Sequence, residues 1–137
     1  MKRLLLLSAA LAPLFIAAVW IEPTKRTETL SASEVIAVDG DTIDHGDDRY
    51  RLVGFDAPET FRAQCEAEKA LGLKTKDRLT EIIQANGYVE LEIEPELDKY
   101  GRFLAIARAG GKQVGSILIS EGLARPYSGG KRQAWCS

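Results

Sequence analysis

The chain has 137 residues, with 18 Lys and Arg against 20 Asp and Glu, for a formal net charge of −2. This length predicts one domain with a hydrophobic core large enough to fold without structural metals. A hydrophobic fraction of 45% and a charged fraction of 28% are ordinary for a globular protein and exclude a disordered chain. Proteins that bind long duplexes nonspecifically carry an excess of basic residues, which this composition lacks. Any nucleic-acid site must therefore gain positive charge locally or from a bound cation.

The N-terminal segment predicts export. Lys2 and Arg3 precede a largely apolar run at residues 4–21, which is the pattern of a secretory signal. The run is also just long enough to cross a bilayer, so a cleaved signal peptide (1–21) and a membrane anchor both stay open. A third alternative is a buried helix of the core. Residues 22–33 are polar and predict a linker, which leaves 34–137 as the folded domain, periplasmic, secreted or held at the membrane.

The chain has two cysteines, Cys65 and Cys136. An oxidising compartment outside the cytoplasm favours a disulfide between them. The bond would close a loop of about seventy residues, for which the chain-entropy model gives roughly 4 kcal/mol. Two free thiols and half of a metal site are the alternatives, but His45 is the one histidine available to complete such a site.

The first predicted elements are three short strands. An apolar run at 35–38, a turn at 39–41 and a second run at 42–43 precede a hairpin turn at 45–48. Residues 50–55 then alternate along a single strand, with Tyr50, Leu52 and Gly54 on one face, and Pro58 ends it. Together these strands predict an antiparallel meander.

Helices and strands alternate in the remainder of the chain. Apolar residues at helical spacing predict a helix over 65–85, in which Gly72 is a weak point and an alternative start. Strict alternation predicts a strand over 88–94, and further patterns predict a strand at 103–108, a helix at 113–121 and an aperiodic tail at 126–137. These five strands, with one longer and one short helix, predict an α+β, mainly β fold, a small closed or partly open barrel with the helices packed on it; an OB-type barrel has this size.

One stretch, residues 39–59, concentrates the residues that could carry chemistry. Asp41 and Asp56 are hard oxygen donors suited to Ca²⁺ or Mg²⁺. Arg51 offers the planar guanidinium that recognises phosphate oxygens, and Glu59 could take a proton from water. These groups together predict cleavage of a phosphate ester. The alternative is structural, because each carboxylate could stabilise a turn and the arginine could form a surface ion pair.

Four motifs, VDGDTI, RLVGFDAPE, DKYGR and ILISEGLA, occur in this order between residues 34 and 127. In sequence and separation they resemble the staphylococcal nuclease family. The resemblance implies a five-stranded OB barrel with helices, and Ca²⁺-dependent cleavage of DNA and RNA phosphodiesters. The family pattern also includes a third C-terminal helix, which we do not expect in the segment SGGKRQAWCS that follows Tyr127 here.

The resemblance also assigns roles to positions of this sequence. It implies that the metal is held by Asp41, by Asp56 and by the backbone carbonyl of Ala57. It implies that Glu59 is the general base, and that Arg51 and Arg102 clamp the scissile phosphate. Tyr100 and Tyr127 match tyrosines near the bound nucleotide.

The sequence therefore predicts an exported, Ca²⁺-dependent nuclease acting on DNA, RNA or both. The alternative is a non-catalytic OB-fold module that binds nucleic acid or a protein at the cell envelope, which the net negative charge favours. No feature of the sequence predicts a particular protein partner.

Overall fold

The computed structural model describes residues 20, 21 and 23–137. The predicted signal or anchor at 1–21 lies outside the described residues, except for its last two positions. Within the described part of the chain, no helix combines the length and the apolar character that a membrane crossing requires.

The described residues form a curled, mainly antiparallel sheet with two helices. The strands are β1 (Arg26–Ser31), β2 (Val35–Asp39), β3 (Thr42–His45), β4 (Asp48–Leu52), β5 (Gly54–Asp56), β6 (Tyr88–Leu97), β7 (Phe103–Ala109), β8 (Lys112–Gln113) and β9 (Arg125–Tyr127). The helices are α1 (Glu66–Asn86) and α2 (Val114–Ser120), and a 3₁₀ turn covers Ala32–Glu34.

The sheet order explains how distant segments reach one edge. In the larger sheet the strands run β1-β6-β7-β4-β3-β2, with β8 beside β7, and β5 pairs with β9 in a separate two-stranded sheet. The pairing of β4 with β7 is parallel, which joins the early meander to the second half of the chain. This arrangement is an α+β, OB-type fold and confirms the predicted fold class.

The core lies between the sheet and α1. Val89, Leu91 and Ile93 of β6 point inward and are fully buried, as the alternation predicts. Helix α1 lies within one residue of its predicted bounds and ends at Gly87, whose φ of 77° suits glycine. Its apolar face covers the sheet, and the fully buried Leu79 belongs to that face.

Three expectations about the strands are wrong. Residues 26–31 of the expected linker form β1. The polar composition did not predict this edge strand, because Leu30 is its one buried residue. The expected continuous strand at 50–55 breaks at Val53, and Tyr50, Arg51 and Leu52 are all buried instead of alternating. The first two residues of the expected aperiodic tail, 126 and 127, belong to β9, which is too short to show a period.

Candidate active site

Asp41 of the β2–β3 turn, Arg51 of β4 and Asp56 of β5 meet at one point. Nη2 of Arg51 lies 3.2 Å from Oδ2 of Asp41 and 3.6 Å from Oδ1 of Asp56. All three residues are buried. Arg51 also donates hydrogen bonds to the backbone carbonyls of Leu52 and Phe55. Its guanidinium is therefore largely engaged by protein acceptors at the base of the site.

A close approach of the β2–β3 turn to helix α1 positions Asp41. A Cβ atom at Gly40 would lie 2.6 Å from Cγ2 of Thr75 and 2.8 Å from Cβ of Ala57, so only glycine fits there. The backbone N–H of Ala57 donates to Oδ2 of Asp41 over 3.2 Å. The turn, the helix and the segment after β5 thus hold Asp41 and Ala57 side by side.

Glu59 lies on the loop between β5 and α1, and a buried glutamate holds that loop. The carboxylate of Glu68, in the first turn of α1, accepts hydrogen bonds from the backbone N–H of Glu59 at 3.3 Å and of Gln64 at 2.7 Å. Gly72, one helical turn further on, allows close contact, because a Cβ there would lie 2.7 Å from the Glu59 carbonyl oxygen. Gly72 therefore lies inside α1 and is not its start; it is the point where the helix supports the Glu59 loop.

Four carboxylates form an acidic cluster around this point: Asp39, Asp41, Asp56 and Glu59. Asp39 accepts a hydrogen bond from the Thr60 hydroxyl. Burial, together with repulsion from the neighbouring carboxylates, raises the pKa of Asp39, of Asp56 and of Glu59 above their ordinary values. Burial also lowers the pKa of Arg51, although Asp41 opposes that change. The charged forms of these carboxylates are therefore destabilised by the folded structure.

Arg132, in the tail after β9, contacts this cluster. Its Nη1 donates to Oε1 of Glu59 over 2.8 Å, and its Nε lies 3.2 Å from Oδ1 of Asp56. Oδ1 of Asp56 is buried and has no hydrogen bond of good geometry among the described residues, so this contact is an ion pair only. The net effect of the two carboxylates is to raise the pKa of Arg132, against the opposing effect of burial.

A disulfide attaches the end of the tail that carries Arg132 to the residue before α1. Cys65 and Cys136 form a disulfide, with their Cα atoms 6.1 Å apart. Next to it, Nε1 of Trp135 donates to Oδ2 of Asp56 over 3.3 Å. Because Cys65 and Cys136 are bonded to each other, their proximity to Glu68 is not a site for a metal ion.

Two further contacts fix the path of the tail. The guanidinium of Arg125 lies 3.7 Å from the ring centroid of Trp135, and its Nη1 donates to the carbonyl of Ala134. Earlier in the tail, the Tyr127 hydroxyl donates to the carbonyl of Gly130 over 2.6 Å. The segment 128–136 therefore crosses the acidic cluster along a defined route.

Arg102, Tyr100 and Tyr127 lie on the other side of Glu59, in an open cleft of about 690 Å³. Asp98 organises the turn before Arg102, accepting the backbone N–H of Tyr100 at 2.8 Å and Nε of Arg102 at 2.8 Å. Tyr100 is exposed, and Arg102 lies 5.3 Å from its ring centroid. The cleft carries positive charge from a set of side chains, namely Arg49, Arg62, Lys99, Arg102 and Arg132.

The acidic cluster has the donor chemistry of a divalent-cation site. Four carboxylates lie beside two guanidinium groups, which form ion pairs with Asp41, Asp56 and Glu59, whereas Asp39 forms no ion pair among the described residues. Oδ1 of Asp56 is a buried oxygen without a hydrogen bond among the described residues. Carboxylate oxygens are the ligands that Ca²⁺ prefers. The residues present therefore fit the metal that the sequence predicts.

The comparisons with known proteins agree with this geometry. A sequence model of the family described as "Staphylococcal nuclease homologue" matches residues 49–134. The chain belongs to the staphylococcal nuclease family. The matched range contains the predicted site residues of this family member, except for Asp41 and Cys136, which lie on either side of it.

The relatives of this staphylococcal nuclease homologue are named as nucleases. It is 42% identical over 96 residues to the thermonuclease of Staphylococcus intermedius, covering 64% of this chain and 54% of that protein. It is 36% identical over 95 residues to endonuclease YncB of Bacillus subtilis (strain 168), covering 65% of this chain and 44% of the relative. The SPbeta prophage-derived endonuclease YokF of the same organism is 38% identical over 95 residues, 65% of this chain and 31% of its own length. The chain thus spans about half or less of these relatives.

The structure brings most of the predicted site residues of this family member to one place. Asp41, Arg51, Asp56 and Ala57 are in direct contact, Glu59 joins them through Arg132, and Arg102 lies across the cleft. Four residues in contact with this group were not predicted as site residues, namely Asp39, Glu68, Arg132 and Trp135. The basic residues after Gly129-Gly130 were a visible signal, but the sequence does not show which groups they contact.

Proposed function

We propose that this protein is a Ca²⁺-dependent nuclease that hydrolyses phosphodiester bonds of DNA, RNA or both. One observation carries the proposal: the acidic cluster adjoins a cleft that bears several arginines and the exposed ring of Tyr100. A substrate with negatively charged phosphates and planar bases matches that cleft, since guanidinium groups bind phosphate and bases stack on tyrosine. The membership of the family and the nuclease names of the relatives support the same reaction.

The metal would be held by the carboxylates of Asp41 and Asp56 and by the carbonyl oxygen of Ala57. When bound, Ca²⁺ supplies positive charge that polarises a phosphoryl oxygen. Phosphoryl transfer depends on positioning and on neutralising charge more than on covalent help from the protein. We assign the neutralisation to Arg102, from the cleft, and to Arg51, from the base of the site.

We assign proton transfer to Glu59. It would accept a proton from the attacking water, which requires the ionised form of its carboxylate. Glu68 and Gly72 would act as positioning residues, because they hold the backbone of the Glu59 loop against α1. Tyr100 and Tyr127 would contact the nucleotide next to the scissile phosphate.

We also propose that the protein works outside the cytoplasm, either released or held at the membrane by residues 4–21. The supporting observation is the disulfide, because such bonds persist in oxidising compartments. Residues 1–21 would be the export signal or anchor. The folded domain would begin near Arg26, earlier than the sequence indicates, because β1 is part of the sheet.

The proposed reaction is tested by cleavage of a single-stranded DNA oligonucleotide by the oxidised protein, with Ca²⁺ and with a chelator. We expect cleavage only with Ca²⁺. Glu59→Gln should lower the rate constant by about 10² to 10⁴-fold, because a general base contributes roughly that much. Arg102→Ala should lower it by about 10² to 10³-fold, through lost stabilisation of the transition state.

A matched control is Arg49→Ala, which removes an arginine of the same cleft that is already paired with Asp44. It should weaken binding slightly and leave the rate at saturating substrate close to that of the parent. If Glu59→Gln and Arg102→Ala both cleaved at the parent rate, the assignment of catalytic residues would be wrong.

The second candidate function is a non-catalytic module that binds nucleic acid. The observation that favours it is the contact of Arg132 with Glu59 and Asp56, which engages the proposed base and one proposed metal ligand. Steeply salt-dependent binding of the oligonucleotide, without cleavage at any Ca²⁺ concentration, would select this function.

A further inference from the structure

Arg132 is the arginine of the site that neither the family motifs nor the proposed reaction uses. Its side chain is 40% exposed, whereas that of Arg51 is only 6% exposed. Its side chain lines two surface openings. One lies above the acidic cluster, and the other is the cleft that contains Tyr100 and Arg102. A guanidinium in this position can reach either the carboxylates or a phosphate in the cleft.

The contacts of Arg51 and Arg132 differ in kind. Arg51 forms ion pairs with two carboxylates and also donates to the backbone carbonyls of Leu52 and Phe55, so its position is fixed by the fold of β4 and β5. Arg132 contacts two carboxylate side chains, those of Glu59 and Asp56. A divalent cation or a substrate would compete for both of those contacts, because the same oxygens would serve as metal ligand and base.

The position of Arg132 is built into the tail. The disulfide at Cys136 and the Trp135 hydrogen bond to Asp56 hold the tail on one side of Arg132, and the Tyr127 hydrogen bond to Gly130 holds it on the other. The backbone therefore stays near the site when the guanidinium releases the carboxylates. A change of rotamer is enough to turn a long arginine side chain from one partner to another.

We propose that Arg132 is a third phosphate-binding arginine, which pairs with Glu59 and Asp56 in the free protein and exchanges them for a phosphate of the nucleic acid in the complex. This inference rests on the proposed nuclease function and adds to it a substrate-binding residue on the tethered tail. In the free protein Arg132 occupies the carboxylates and so competes with Ca²⁺. In the complex it releases both carboxylates and adds positive charge to the cleft.

The proposal predicts opposite effects of one substitution on two affinities. Arg132→Gln removes the competing cation, so the affinity for Ca²⁺, measured by isothermal titration calorimetry without nucleic acid, should rise by about threefold or more. The affinity for a fluorescein-labelled oligothymidylate, measured by anisotropy in chelator, should fall by about threefold to tenfold, because one phosphate contact is lost. Damage to the structure would lower both affinities.

Lys131→Gln is the matched control, since it removes one positive charge from the adjacent position of the same tail. It should leave the affinity for Ca²⁺ unchanged and lower the affinity for the oligonucleotide less than Arg132→Gln does. If Arg132→Gln failed to move the two affinities in opposite directions, or if Lys131→Gln moved them equally, the proposal would be overturned. Absence of Ca²⁺ binding by the parent protein is a separate result, which would overturn the proposed function and this inference with it.

Discussion

Two clusters of ion pairs in this protein differ in whether pairing or burial has the larger effect on the pKa of their carboxylates. On the exposed surface of α1, Arg78 donates two hydrogen bonds of 2.8 Å to Glu121 and one of 3.1 Å to Glu81. This pairing lowers the pKa of Glu121. In the acidic cluster the pKa of Asp56 and that of Glu59 are raised, although Arg132 contacts both. Pairing stabilises the charged form on α1, whereas burial outweighs it in the acidic cluster.

The difference separates an ion pair of the surface from a binding site. Burial keeps the pKa values of Asp56 and Glu59 raised although Arg132 contacts both, and a bound cation would stabilise their charged form. In the surface cluster the charged form of Glu121 is already stabilised by pairing with Arg78. We therefore expect the acidic cluster, and not the surface cluster, to respond to Ca²⁺ and to moderate changes of pH.

The largest expected effect is the loss of Ca²⁺ stabilisation in Asp56→Asn. A ligand at 100 times its dissociation constant raises the free energy of unfolding by about 2.7 kcal/mol if it binds only the folded state. At the same Ca²⁺ concentration Asp56→Asn should gain less than about 1 kcal/mol, because its neutral amide binds the metal weakly. Urea unfolding with and without Ca²⁺ measures both values. Glu121→Gln, the matched change in the surface cluster, should keep the full gain, and an equal gain in Asp56→Asn would remove Asp56 from the ligand set.

A smaller effect is expected from pH in the absence of metal. Groups whose pKa is raised by folding bind protons more tightly in the folded state, so stability increases as the pH falls through their folded pKa values. In chelator, the raised pKa values of Asp39, Asp56 and Glu59 should therefore increase the free energy of unfolding as the pH falls from about 7 to about 5. Glu121 acts in the opposite sense, because its lowered pKa gives stability that is lost only at more acid pH. The increase should shrink in Glu59→Gln, and a fall in stability over this range would contradict the assignment.

The smallest expected effect belongs to the surface cluster itself. Arg78→Gln breaks the contacts to Glu81 and Glu121, which are exposed and screened by salt. The melting temperature should fall slightly at low salt and less at high salt, and the cleavage rate should match the parent. If Arg78→Gln lowered the cleavage rate as much as Glu59→Gln does, the surface cluster would also contribute to catalysis and the contrast between the two clusters would be wrong.

The sequence predicts those parts of the fold that local patterns determine. The alternation of β6, the helical spacing of α1 and the turn residues between strands predicted a mainly β domain with two helices, and the family motifs added the OB-type barrel. The sequence did not predict strand β1, because an edge strand needs few buried residues and its single buried leucine gives no periodic signal. The sequence did not predict strand β9, because its pairing with β5 joins residues that lie far apart along the chain.

The same distinction holds for the candidate site. Asp41, Arg51, Asp56 and Glu59 are close in sequence and could be grouped from their chemistry. Arg132 is 73 positions from its partner Glu59, and the tail that carries it is positioned by a disulfide and by Trp135. No local pattern encodes such a contact. Glu68 was hidden for another reason, since a buried carboxylate in the first turn of a helix has the same sequence pattern as an exposed one that favours the helix dipole.

The pairing of β1 with β6 protects one border of the sheet. Six residues of β1, Arg26–Ser31, lie in register with 88–93 of β6. A fragment that began at Glu34 would lack β1 and would leave the N–H and C=O groups along that side of β6 open. An open border of this length, on a strand as regular as β6, is a template to which the same strand of another molecule can add. The polar segment before the first motif therefore serves solubility as well as fold, because the border that it presents in place of β6 is short and carries charged side chains.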